Sequence, residues 1–145
     1  MTTAILDTGA IIALFDNSYD EHEPLLEAIA ASGAPPVVSP FIVAEADFML
    51  KTRYDAAAAT RFNEDVAIGA YELASWTVHD HAEALQVIQS FNGDDYIGIA
   101  DASNVVLADR YRTTSIMTTD QRHFRKLQPI WGPDYFTLLP YDSQE

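Results

Sequence analysis

Apolar residues in this chain recur in two rhythms that alternate from one end to the other. Short runs at residues 3–6, 37–39, 71–75, 115–118 and 136–139 are rich in aliphatic and β-branched side chains and have the length of sheet strands. Between them, residues 7–15, 21–32, 41–54, 56–70, 79–91 and 98–111 carry apolar positions at helical spacing over helical lengths. Proline and glycine fall singly or in pairs between these segments, as turn residues do, and no repeat or long linker interrupts them. Strands and helices in alternation predict an α/β layered fold around a mainly parallel sheet, formed as one domain over residues 1–145.

Composition supports this picture, since 145 residues at 48% hydrophobic content supply a core that needs no disulfide or structural metal. The chain has no cysteine, no apolar run long enough to span a bilayer and no signal-like series at its N-terminus, so a cytoplasmic protein without membrane contact is expected. Charge alters the picture more. Twenty-two acidic against 8 basic side chains leave a formal net charge of -14, which repels a polyanion at long range. Five of those basic residues, Arg110, Arg112, Arg122, Arg125 and Lys126, nevertheless fall in one stretch, a candidate phosphate-facing patch. Most of the acids read as a solvated surface, but four stand inside apolar patterns, where solubility does not explain them.

The strand at residues 3–6 delivers Asp7 at its C-terminal end, and the strand at residues 115–118 delivers Asp120 through Thr119. Open parallel sheets bind ligands at that edge. Asp also favours helix N-caps, and each residue taken alone fits that role equally well. Glu45 shares a helical face with Phe41, Ile42, Phe48, Met49 and Thr52. A carboxylate inside such a stripe must be protonated, paired or metal-bound, unless it sits at the stripe's edge and reaches water. Asp101 opens a helix of small residues, where the helix dipole alone would favour it. Asn104, one turn on, stands where an apolar residue is expected and is a candidate hydrogen-bond partner for Asp101.

Carboxylates gathered at one place repel unless a cation lies between them, and all-oxygen donors suit Mg²⁺ or Mn²⁺ rather than zinc. Such ions activate water for attack on phosphorus, which makes phosphodiester hydrolysis the implied chemistry. No Walker loop, dinucleotide fingerprint or Ser-His-Asp arrangement competes. The pair His79 and His81 reads as helix capping rather than a chelate, and His123 reads as a surface residue or a phosphate contact. Asp94 and Asp95 are either further members of an acidic groove or a solvated loop.

The segment D-T-G-A-I-I-A-L from Asp7, the lone helix Glu45, the segment D-A-S-N-V-V-L-A from Asp101 and the segment T-T-D-Q-R-H-F from Thr118 together resemble PIN-domain ribonucleases of the VapC toxin type. The resemblance spans nearly the whole chain. It implies a PIN-like three-layer sandwich, with Asp7, Glu45, Asp101 and Asp120 as the metal-binding and catalytic acids and Mg²⁺ or Mn²⁺ as the cofactor. It implies Thr8 as the small hydroxyl beside the first acid and Phe124 as a packing anchor. Endonucleolytic cleavage of RNA, a homodimer and inhibition by a small cognate antitoxin follow from the same resemblance. Candidate RNA contacts are Thr8, Arg110, Arg112, Arg122 and Arg125. Two other readings remain: a catalytically silent PIN-like interaction module, and a phospho-accepting receiver-like domain. The receiver wants a lysine at a late strand end, and neither Lys51 nor Lys126 directly follows an expected strand.

Overall fold

The computed structural model describes residues 3–91 and 96–142. Five strands, β1 (Ile5–Leu6), β2 (Val37–Val38), β3 (Glu72–Leu73), β4 (Ser115–Met117) and β5 (Thr137–Leu139), form one sheet in the order β3-β2-β1-β4-β5, every pair parallel. The helices are α1 (Thr8–Phe15), α2 (His22–Ser32), α3 (Pro40–Arg53), α4 (Ala56–Ala67), α5 (Val78–Ser90), α6 (Ile99–Arg110) and α7 (Gln121–Lys126). All five expected strands and six expected helices are present. The seventh helix, α7, was not read from the sequence, because its six residues are too few to display a periodicity.

Alternation along the strands divides the core into two layers. Leu6, Val38, Met117 and Leu139 face a cluster with Ile11, Leu25, Ile42 and Phe62 from α1 to α4. Their neighbours Ile5, Val37, Ile116 and Leu138 face a second cluster with Val105, Leu107 and Phe124 from α6 and α7. Each pair of adjacent residues thus serves both faces, the period of two expected of a strand. The result is a three-layer α/β sandwich. Chain order explains the segregation: crossovers from β1 to β3 travel one way along the sheet and those from β3 to β5 travel back, and right-handed connections then place their helices on opposite faces.

Local signals set the helix ends. Ser39 accepts from the Phe41 amide with Pro40 in the first turn of α3, Asp55 accepts from the Ala58 amide, and Thr77 with Asp80 forms a reciprocal capping box on α5. Helix α4 stops at Ala67 rather than at residue 70, because Gly69 adopts φ 83° and turns the chain. Among the described residues no helix is long and apolar enough to cross a membrane.

Candidate active site

The strand order reverses at β1, so the C-terminal ends of β1 and β4 flank the switch point where open α/β sheets leave a crevice. Asp7 follows β1 directly and is buried, and its backbone N–H donates to Met117 O at 2.9 Å. It occupies the N-cap position of α1 yet makes no side-chain cap bond. Both of its carboxylate oxygens are held from elsewhere: Thr118 Oγ1 donates to Oδ2 at 2.7 Å, and Asn104 Nδ2 donates to Oδ1 at 3.2 Å. Asn104 therefore serves Asp7 and not Asp101, and its full burial in an apolar helix is accounted for by that bond. Burial pushes the Asp7 carboxyl up to about 7; the Thr118 bond opposes this, and the charges of Asp101 and Glu45 add to it.

Thr118 does a second task, since its hydroxyl accepts from the Asp120 backbone N–H at 2.8 Å. One side chain thereby ties the first acid to the loop that presents the last. Asp120 caps α7, with Oδ1 accepting from the His123 backbone N–H at 3.3 Å, so for this residue the capping role expected of an Asp is real. Its other oxygen faces the imidazole. His123 Nδ1 lies 3.0 Å from Asp101 Oδ2 and 3.2 Å from Asp120 Oδ2, so one ring nitrogen stands within reach of both carboxylates. His123 is thus a member of the acid cluster, not the surface residue or phosphate contact expected of it; its spacing of three from Asp120 on a short helix was the available signal. The Asp101 carboxyl is raised, first by burial and further by Asp120 and Glu45, against the lowering effect of His123.

Glu45 corrects an expectation. It is exposed, and the buried line of α3 is Ile42, Ala46 and Leu50, while Phe48 is 67% exposed. The stripe is wider than the core it covers, so Glu45 lies at an edge, from which its charge still acts on Asp7 and Asp101. The register of α3 against α6 is set by a buried relay: the Phe41 amide donates to Ser39 Oγ, which shares a 2.7 Å hydrogen bond with Ser103 Oγ, and Ser103 Oγ lies 2.6 Å from Ala100 O.

The donor set suits a hard cation. Besides the carboxylates, Thr8 Oγ1 and Asn104 Oδ1 are buried without a hydrogen-bond partner among the described residues, and unsatisfied oxygens beside clustered acids call for positive charge or a bound water. Asp94 and Asp95 lie outside the described residues. His79 pairs with Glu83, and His81 Nδ1 accepts from Trp76 Nε1 at 3.2 Å, so neither histidine joins the cluster. Phe124 is buried, edge-on to Phe136.

The basic stretch is largely committed within the protein. Arg110 pairs with Asp80 at 2.8 Å and donates to Ser75 O, Arg112 pairs with Asp109 and lies over the Trp131 ring, and Arg125 binds both oxygens of Asp142 at 2.7 and 2.8 Å. Arg122 and Lys126 are exposed.

A parallel sheet with aspartates gathered at its switch point and held there by buried hydroxyl and amide groups defines an α/β protein with an acid-lined site. The PIN-domain family model matches residues 4–128, and the chain belongs to that family. It is 43% identical over 136 residues to ribonuclease VapC26 of Mycobacterium tuberculosis, covering 94% of this chain and 99% of that relative. Among solved structures, M. tuberculosis VapC20, described as a sarcin-ricin loop cleaving toxin, superposes with a TM-score of 0.73 at 14% identity, over 83% of this chain and 92% of that one. A toxin-antitoxin complex from Klebsiella pneumoniae gives 0.65 at 16% identity, covering 92% of this chain and all of that one. VapBC2 from Rickettsia felis, bound to a promoter DNA fragment, gives 0.65 at 14%, over 94% and 97% of the two chains. At these identities the structures establish the fold, which is that of a PIN-like sandwich.

Proposed function

We propose that the protein is a Mg²⁺- or Mn²⁺-dependent endoribonuclease that acts in the cytoplasm as the toxin of a toxin-antitoxin pair, with Asp7, Glu45, Asp101 and Asp120 as its cation-binding and catalytic acids. The observation that carries this reading is the meeting of Asp7, Asp101 and Asp120 at one sheet edge, within reach of the charge of Glu45, in a chain 43% identical to a ribonuclease. A divalent ion held by these acids would lower the pKa of a water and offset the charge that builds on a phosphate under attack. The protein's part is to hold the acids in place. Thr118 and Asn104 orient the carboxylate of Asp7, Thr118 also anchors the backbone of Asp120, and the Ser39–Ser103 relay fixes Glu45's helix against that of Asp101.

RNA contacts are assigned to Thr8, whose hydroxyl has no hydrogen-bond partner among the described residues, and to the arginines of the basic stretch, Arg110, Arg112, Arg122 and Arg125. At Arg110, Arg112 and Arg125 phosphate must compete with Asp80, Asp109 and Asp142. The partner proposed is a small antitoxin with a basic segment, which a net charge of -14 would attract. Self-association as a homodimer belongs to the same reading, with exposed Phe48 on α3 and Val78 and Leu85 on α5 as apolar surface for it.

The test is cleavage of RNA by the full chain freed of any inhibitor, with Mg²⁺ or Mn²⁺ and with EDTA. Cleavage that requires the ion and is lost in Asp7→Asn supports the proposal, and full cleavage in EDTA overturns it. Co-expression with the neighbouring reading frame should yield a complex with a small partner, formed more slowly as salt rises.

A further inference from the structure

The acid set leaves one neighbour unused. His123 presents Nδ1 to two carboxylates at once, 3.0 Å from Asp101 Oδ2 and 3.2 Å from Asp120 Oδ2. Two donors each about 2.1 Å from one ion stand about 3 Å apart when adjacent in an octahedron and about 4.2 Å apart when opposite. One donor atom from each of Asp101, Asp120 and His123 lies within 4.8 Å of the other two, so one ion can be reached by all three after small adjustment.

The arrangement is also preorganised. Asp120 commits Oδ1 to capping α7, which leaves Oδ2 turned toward the imidazole. The Phe91 ring packs edge-on against the His123 ring, with centroids 6.3 Å apart and planes at 85°. Asp101 is held in the first turn of α6, and one turn further on that helix Asn104 carries a fully buried Oδ1 without a partner. That oxygen accepts and cannot donate, and because the same amide donates to Asp7 Oδ1 it belongs with the Asp7 carboxylate, where it calls for a cation or for water bound to one.

We propose that Asp101, Asp120 and His123 form a cation position of mixed oxygen and nitrogen donors, separate from the carboxylate of Asp7, and that this position selects Mn²⁺ over Mg²⁺. The proposal rests on the metal-dependent reading above and sharpens it. Oxygen-only positions suit Mg²⁺, whereas an imidazole nitrogen moves preference toward Mn²⁺ and the later first-row metals. The acids then divide between two positions, one centred on Asp7 and one on His123.

Pulsed electron paramagnetic resonance on the full chain loaded with Mn²⁺ alone reads the bound nitrogen directly. Wild type should show hyperfine coupling to a directly coordinated imidazole nitrogen, changed in character when histidine is labelled with ¹⁵N and lost in His123→Gln. Calorimetric titration with Mn²⁺ and with Mg²⁺ should show the variant losing at least the roughly tenfold in Mn²⁺ affinity that removal of even an outer partner brings, with Mg²⁺ affinity little changed. His123→Asn serves as a second variant, and if neither folds, the labelled wild-type spectrum alone decides. Bound Mn²⁺ without nitrogen coupling, or an unchanged Mn²⁺-to-Mg²⁺ preference in the variants, overturns the mixed position and leaves the acids-only site standing. A wild-type chain that binds neither ion overturns both.

Discussion

Asp7 and Asp120 look alike in sequence, each placed after a strand and immediately before a helix, and the fold uses them differently. Asp120 caps its own helix with one oxygen and meets His123 with the other. Asp7 stands at the N-cap of α1 and caps nothing; its oxygens are taken by Asn104 and Thr118, 97 and 111 residues further along the chain. The side chain of Asp120 is 38% exposed, whereas Asp7 is 4% exposed. Local structure alone accounts for the cap bond of Asp120, while only the assembled site accounts for Asp7. A carboxylate that forgoes its cap, is buried beside other acids and is held by distant donors comes at a cost to folding, which the proposed cation site would explain.

That contrast predicts its largest effect at Asp7. Unfolded, this carboxyl loses its proton near 3.8, and folded it keeps the proton up to about 7. Between those values the folded state binds the extra proton, so the contribution to stability falls as pH rises, by at most about 4 kcal/mol. In EDTA, wild type should therefore unfold in urea more readily at pH 8 than at pH 5. Asp7→Asn should flatten most of that slope, because the Thr118 hydroxyl can accept from the new amide, and a smaller slope of the same sign should survive from Asp101, also raised. The same variant should cleave RNA roughly a hundredfold more slowly or worse, the scale of several kcal/mol of lost transition-state stabilisation. A slope unchanged by the substitution would falsify the view that Asp7 is strained.

Asn104→Leu comes next. It removes a donor to a buried carboxylate and should cost about 1.5–3 kcal/mol at pH 8, less at pH 5 where Asp7 keeps its proton. Equal losses at both values would mean that packing, not the bond, is what Asn104 supplies. At Asp120 the two substitutions separate the roles: Asp120→Ala should lower stability by about 1 kcal/mol as a lost cap, while Asp120→Asn keeps the cap and the stability. Both should lose cleavage to a similar degree, and an Asn variant of full activity would reduce Asp120 to a cap. The smallest effect is expected at Gly9, where an added Cβ would stand 2.1 Å from Thr119 Oγ1 and 3.3 Å from Thr119 Cβ. Gly9→Ala gains about 0.8–1.0 kcal/mol of helix propensity against that crowding, so thermal melts should move little while cleavage falls as Thr119 shifts beside Asp120.

The division between what the sequence displays and what it hides follows the same line. Strands and long helices are periodic, so β1 to β5 and α1 to α6 are legible from residue spacing. The acids are legible because a charge inside an apolar pattern is conspicuous. Their holders are not: Thr118 reads as the last residue of a strand, and nothing local marks its hydroxyl as the link between Asp7 and Asp120. Asn104 is visible as an oddity on an apolar helix, but its target lies 97 residues back and only the assembled sheet reveals it. For Glu45 spacing misleads, since a helical wheel cannot tell which part of a broad apolar face the core will cover.

The strand order also governs when the site can exist during synthesis. β1 is made first, but it ends up between β2 and β4, and the hydroxyl that steadies Asp7 is encoded 111 residues later. A nascent chain that has emerged only through β3 carries Asp7 and Glu45 without Asp101, Asp120 or the threonine that joins the two strand ends. It holds two of the four acids of the proposed site. At roughly 5–20 residues per second of translation, several seconds separate the appearance of the first acid from that of the last. The proposed site is therefore not assembled until β4 and the turn that carries Asp120 have been made and β4 has paired beside β1.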